Sequence, residues 1–388
     1  MDFEFTDEQR MLASSVQRFA QQHIDFRHWL QRAAQGHVFD RANWRRMAEL
    51  GWLGLTVPEA DGGIGGEPVD TLVFMQEVGR FLMLEPYVGT CVIAPALLRH
   101  AGASLRAELL PAICEGRAIV ALADAEPGSR FSLTPLTTQA VKNGTGFVLT
   151  GDKSHALDGA EADFFLIPAR THGQPEDADG ISLFLVPATA PGLTISAARA
   201  IDHRHNASLR LAAVAVPGSA IVGLPGQASS LIEYARDLGI AARLAESVGA
   251  MEAVQERTLA HLRARRQFGQ PIAGFQALQH RAVDMAIGCE EARSMTYLAT
   301  LSLSRPAAER RRVVSAAKAR VSQTSLFVGR QGVQLHGGIG FSDELDISHY
   351  LKRLIMIDMC FGNAAEHRNR LAAAERQHRV AADALTTE

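Results

Sequence analysis

The hydrophobic period changes twice along the chain, and those two changes limit the fold more than any single motif. Residues 1–116 repeat their apolar positions at helical spacing. Residues 117–222 break into short runs rich in Val, Ile, Leu and Phe, with turn residues between them. Residues 223–388 return to the helical period. That order predicts an α+β multidomain protein: an N-terminal helical domain over 1–116, a middle antiparallel β domain over 117–222 and a C-terminal four-helix bundle over 223–388.

Local signals place the elements. Thr6 followed by Gln9 reads as a capping box, ahead of Met11, Leu12, Val16, Phe19 and Ala20 on one helical face. The segment GWLGLTVPEADGGIGGEP interrupts the helices, because Pro58 and the glycines at 62, 63, 65 and 66 forbid continuous helix and imply a shaped loop. In the middle region, AIVALADA, AVKNGTGFVLTG, FFLIPA, ISLFLVPA, LTISAAR and SLRLAAVAVP read as strands, and Asn143-Gly144 as a tight hairpin turn. Beyond Gly226, helices are expected over about 229–266, 276–303 and 307–335, with a fourth near Ile347.

Composition excludes several classes of function. Lys and Arg number 39 against 42 Asp and Glu, a formal charge of −3 that is too balanced for capture of nucleic acid or an anionic membrane. The uncharged stretch between Glu85 and Arg99 contains two prolines and falls short of the ~20 residues of a membrane helix. Cys91, Cys114, Cys289 and Cys360 form no C-x-x-C pair, so a reducing, cytoplasmic setting is expected, and the acidic start MDFEFTDEQR does not read as a secretory signal. There is no G-x-G-x-x-G after a strand, P-loop, G-x-S-x-G elbow or H-E-x-x-H helix. His203 and His205 lie on a polar loop without neighbouring Cys, so no metal site is assigned.

Two segments carry most of the functional information. RRQFGQPIAGFQALQHRAVDM, residues 265–285, offers a guanidinium fork at Arg265, amides at Gln267 and Gln276, and a flat ring at Phe268. QGVQLHGGIGF, residues 331–341, adds the Gln334 amide and lets the backbone approach a ligand closely at Gly337 and Gly338. Singly, Phe268 reads as core and the glycines as a helix stop; the joint spacing reads as a clamp for an adenine dinucleotide without a Rossmann fold.

These segments resemble the R-x-x-F-G-x-x-I-x-x-x-Q and Q-x-x-G-G-x-G-F stretches of the acyl-CoA dehydrogenase family. ELGWLGLTVPEADGGIGG and AEPGS, residues 125–129, are similar to further family segments, in the expected order. The opening MDFEFTDEQR and the segment MIDMCFGNAAEHR look most like the pimeloyl-CoA dehydrogenase small-subunit type. The resemblance implies FAD as cofactor and α,β-dehydrogenation of an acyl-CoA thioester, in which a carboxylate removes the α-proton and the flavin accepts a hydride. It also implies an oligomer in which residues matching Arg265, Gln267, Phe268, Gln276, Gln334, Gly337 and Gly338 reach the adenine half of a flavin held by the adjacent chain. Electrons would then pass to an electron-accepting flavoprotein.

The sequence departs from that pattern where the chemistry sits. One usual position of the base, in a Tyr-Glu-Gly-Thr segment, falls on Phe361 or Gly362. The other aligns with Gly239. Of the remaining carboxylates, Glu246 ranks first on placement, ahead of Asp358 and Glu366, although glutamates on long helices usually face water or pair. On the flavin-ring side, Ala125 replaces a threonine, while His155, Ala156 and Leu157 stand where relatives carry Trp-x-Thr. The expectation is one subunit of a heteromeric acyl-CoA dehydrogenase, partnered by a second chain of the family that supplies the base. The alternatives are a homodimer or homotetramer acting as an independent dehydrogenase or oxidase with a relocated base, or a catalytically silent partner subunit.

Overall fold

A computed structural model describes residues 4–34, 36 and 40–385. The first helices are α1 (Asp7–His23), α2 (Phe26–Ala34), α3 (Arg41–Glu49), α4 (Pro68–Arg80), α5 (Ala94–Leu98) and α6 (Ala103–Cys114). The strands β1 (Val120–Leu122), β2 (Gln139–Asn143), β3 (Gly146–Ala156), β4 (Phe164–Arg170), β5 (Ile181–Pro187), β6 (Leu193–Arg199), β7 (His205–Pro217) and β8 (Ile221–Val222) follow. The last part holds α7 (Ser229–Ala264), a short hairpin of β9 (Arg266–Gln267) and β10 (Gln270–Pro271), then α8 (Gln276–Leu301), α9 (Ala307–His336), α10 (Asp346–Met359) and α11 (Ala364–Leu385). The expected divisions at 116/117 and 222/223 fall at the turn that ends α6 and at the end of β8.

The chain forms two compact units, one of residues 1–30, 68–83 and 240–388, the other of residues 31–67 and 84–239. In the first, α9 packs against α8, α10 and α11. The four expected helices are thus joined by a fifth, α11, whose sequence is on average more polar than those of the other four. The α1 capping box is present, with Gln9 N–H donating to Thr6 Oγ1 at 3.3 Å and Thr6 N–H donating to Gln9 Oε1 at 3.1 Å. Helices α4 and α7 cross with their backbones in contact. A Cβ on Gly79 would lie 1.9 Å from the Glu246 carbonyl oxygen, and one on Gly249 1.8 Å from that of Gln76, so only glycine permits the approach.

The second unit is built on one sheet in the order β6-β7-β3-β2-β4-β5-β8, with β1 beside β4. It is not wholly antiparallel as expected: β1 and β2 each pair with β4 in parallel. Neither pair is consecutive in the chain, so no tight turn forces them antiparallel. The β2–β3 hairpin forms one residue later than expected. Asn143 stays in the ladder opposite Gly146, and Gly144, at φ +58°, takes the first turn position. The Gly-rich loop is shaped by its own backbone: the N–H groups of Ile64, Gly65 and Gly66 donate to the carbonyls of Gly54, Val57 and Leu55. Arg106 ties it from α6, with two hydrogen bonds of 2.8 and 2.6 Å to Asp61.

Candidate cofactor and active site

The residues of the expected adenine clamp gather at one end of the helical unit, where α7 and α9 finish and α8 begins. Two contacts tie these ends together. The rings of His261 on α7 and His336 on α9 have centroids 4.4 Å apart, and Arg281 on α8 donates to Gln331 on α9 at 3.1 Å. The β9–β10 hairpin projects from this end, and its two-residue turn is Phe268-Gly269, both with positive φ, +53° and +81°. Such a turn demands left-handed backbone at both central positions, which a bulky aromatic adopts only at a cost. Phe268 is nevertheless 90% exposed.

Arg265, Gln267, Gln276 and Gln334 are exposed around the hairpin, together with Gly337 and Gly338 after α9. Gly337, at φ +66°, needs glycine for its conformation. No such need applies to Gly338: its φ is ordinary, and a Cβ there would meet nothing within 4 Å. Packing within the chain therefore does not account for it. Nearby Phe341 is 77% exposed and Ile339 is also exposed. An exposed guanidinium, an outward aromatic in a strained turn, exposed amides and bare backbone together fit the adenosine diphosphate half of a flavin dinucleotide.

The segments expected beside the flavin ring lie in the sheet unit. The Ala125 carbonyl accepts from Ser154 N–H at 2.8 Å, and the Ser129 hydroxyl bonds both the N–H and the carbonyl of Glu126. The Glu126 carboxylate is buried and fully engaged: Lys153 Nζ and Thr138 N–H reach Oε1 at 2.7 and 2.9 Å, while the N–H and hydroxyl of Thr137 reach Oε2, both at 2.6 Å. This pair escaped the sequence reading, since Glu126 and Lys153 lie 27 positions apart and Lys153 carries no motif of its own. His155 is exposed at φ +53° and Ala156 is buried.

Burial works to raise the Glu126 pKa, but the Lys153 ammonium and the hydrogen bonds outweigh it and bring it from 4.5 to about 2. Burial also pushes the Lys153 pKa down to about 8 despite its partner. A carboxyl whose folded pKa is depressed adds its stability above the unfolded value and loses it as pH falls through the folded value. Glu126 therefore contributes fully above about pH 4.5 and nothing below about pH 2. Glu126→Gln is expected to flatten acid unfolding across that window and to cost on the order of 3 kcal/mol at neutral pH, read by circular dichroism. An acid profile as steep as that of the natural protein would contradict this.

Glu246 does not sit in an open site. It is 0% exposed, with Oε2 held by Arg243 Nη1 and Oε1 by Arg353 Nη1, each at 2.6 Å. Arg353 also donates to the Met83 carbonyl at 3.0 Å, so the triad joins α7, α10 and the turn that follows α4. Both oxygens are spent on guanidinium groups. Asp358 caps α11 through Ala364 N–H at 3.1 Å, and Glu366 pairs with Arg370 at 3.0 Å. At the usual base positions, Gly239 lies buried within α7, while Phe361 and Gly362 turn the chain between α10 and α11 with φ of +58° and +112°. Asp237, the carboxylate nearest Gly239 on α7, points about 200° away around the helix.

Among the described residues, no helix is long and apolar enough to cross a membrane. The N-terminal, middle and C-terminal domain models of acyl-CoA dehydrogenases match residues 6–117, 121–213 and 234–375. A probable acyl-CoA dehydrogenase of Bacillus subtilis is 27% identical over 372 residues, 94% of this chain and 97% of that protein. The cyclohex-1-ene-1-carbonyl-CoA dehydrogenase of Syntrophus aciditrophicus is 27% identical over 358 residues, covering 90% of this chain and 85% of its own. In structure, the chain superposes on a chain of the ChsE4–ChsE5 complex from Mycobacterium tuberculosis with a TM-score of 0.87 at 25% identity, covering 96% and 98%. With three domain models matched in order along nearly its whole length, the chain belongs to the acyl-CoA dehydrogenase family of FAD-dependent oxidoreductases.

Proposed function

We propose that this chain is one subunit of a heteromeric acyl-CoA dehydrogenase, in which it grips the adenine half of a flavin while a second chain of the family supplies the catalytic base. The observation that carries this reading is the loss of a carboxylate at Gly239 and at Phe361 and Gly362, with Glu246 locked between two arginines. When bound, FAD supplies the acceptor for the hydride that leaves the β-carbon of an acyl-CoA thioester. Arg265 would hold the diphosphate, Phe268 would lie against the flat heterocycle, and Gln267, Gln276 and Gln334 would hydrogen-bond the nucleotide. Gly337 and Gly338 would let the backbone close on it. The ChsE4–ChsE5 complex, similar along nearly its full length, is an assembly of two differently named chains, which supports the heteromeric reading. Electrons would leave through an electron-accepting flavoprotein.

An independent homo-oligomer needs a relocated base, and Glu246 is poorly suited to it. Taking up a proton there would break a 2.6 Å charge-assisted hydrogen bond to a buried guanidinium. The test is to purify the chain alone and together with a family chain encoded beside it, then measure flavin content and acyl-CoA oxidation. Turnover confined to the pair supports the proposal; full flavin occupancy and turnover by the lone chain contradict it.

A further inference from the structure

The clamp end of the helical unit carries two imidazoles that the reading above leaves without a role. His261 lies one helical turn before Arg265, whose N–H donates to the His261 carbonyl at 2.8 Å. His336 ends α9 directly before Gly337. The two rings lie 31° from parallel with centroids 4.4 Å apart. The His336 ring is buried and its Nδ1 lies 2.8 Å from the Gly332 carbonyl, a contact that needs the proton on Nδ1 and leaves Nε2 to accept one more. His261 is half-buried.

The charged or titratable groups that act on His261 are His336 and Arg265. Burial, His336 and Arg265 together hold the His261 pKa below its ordinary value. From α8, Arg281 is bonded to Gln331. One turn earlier on α7, Arg257 is paired with Asp346 of α10 at 2.6 Å. No carboxylate in these contacts is left to welcome a proton on the stack.

We propose that His261 and His336 form a proton-responsive part of the nucleotide clamp: a diphosphate seated at Arg265 is answered by a second positive charge when the stacked pair takes up a proton. This rests on the clamp reading of Arg265, Gly337 and Gly338. In the free protein burial and the Arg265 charge oppose protonation of His261; an anionic diphosphate reverses that balance. By linkage, the factor by which a proton tightens FAD binding equals the factor by which FAD tightens proton binding. FAD is expected to bind about 3- to 10-fold more tightly on the acid side of the transition.

The test is calorimetric titration of FAD into the flavin-stripped full-length protein, in the assembly in which it is purified, at about pH 6 and about pH 8 in two buffers of different ionisation enthalpy. Net proton uptake at the lower pH, with affinity rising about 3- to 10-fold, is the expected result. His261→Gln and, separately, His336→Gln should flatten the dependence. Affinity that does not change with pH, or a dependence that both variants retain, overturns the proposal. Arg265→Ala, run alongside, separates the two readings: if it weakens FAD while the pH dependence is missing, the imidazole proposal fails and the clamp stands. If Arg265→Ala has no effect, or FAD binds at neither pH, the clamp fails and the proposal with it.

Discussion

Glu246→Gln is expected to lower the unfolding free energy by about 3–5 kcal/mol, because it removes one charge from a buried ion cluster and weakens the 2.6 Å contacts to both Arg243 and Arg353. Arg243 and Arg353 are 2% and 1% exposed at their side chains, so water cannot take the place of the lost carboxylate. In the same variant, turnover per folded active site should change by less than about 3-fold, against the 10²- to 10⁴-fold loss that follows removal of a general base. Urea unfolding and steady-state assays on the active assembly read the two effects separately. A stable variant with turnover reduced a hundredfold would reverse the assignment and make Glu246 the base.

Arg265→Ala should weaken FAD binding by about 10- to 100-fold, the loss of charge-assisted hydrogen bonds to a diphosphate, each worth about 1.5–3 kcal/mol. Arg265→Lys should recover only part of it, since an ammonium restores the charge without the planar fork. Because the guanidinium is exposed, thermal stability of the flavin-free protein should not move with either change. Flavin fluorescence titration measures the affinity. Equal affinity for the three proteins would remove Arg265 from the clamp.

The fold was legible wherever the chain repeats itself. The bundle helices span dozens of residues, so apolar positions and Pro306 placed α8 and α9 within about two residues of their observed ends. Short elements gave less. The parallel pairing of β1 and β2 with β4 is a choice of partner, and alternation within one strand does not encode a partner. Helix α11, on average the most polar of the five, was missed.

The proposed clamp stands out in the sequence for a different reason. Its residues are contributed by two short segments, each with fixed internal spacing, and at Gly338 neither backbone conformation nor packing within the chain calls for a glycine. The surroundings of Glu246 were not legible. One of its partners, Arg243, lies one turn away on the same helix and could have been noticed, but Arg353 comes from a helix 107 positions later. Only tertiary packing distinguishes a glutamate that waits for a substrate from one that neutralises two buried arginines.

Exchange of the acyl-CoA α-proton tests the central claim most directly, because it reports the base without requiring electron transfer. The chain alone, incubated with excess FAD and a saturated acyl-CoA in deuterated buffer, should leave the α-carbon free of deuterium by mass spectrometry. The same chain combined with its partner should introduce it. Rapid α-deuteration by the lone chain would show that it carries its own base and would contradict the account.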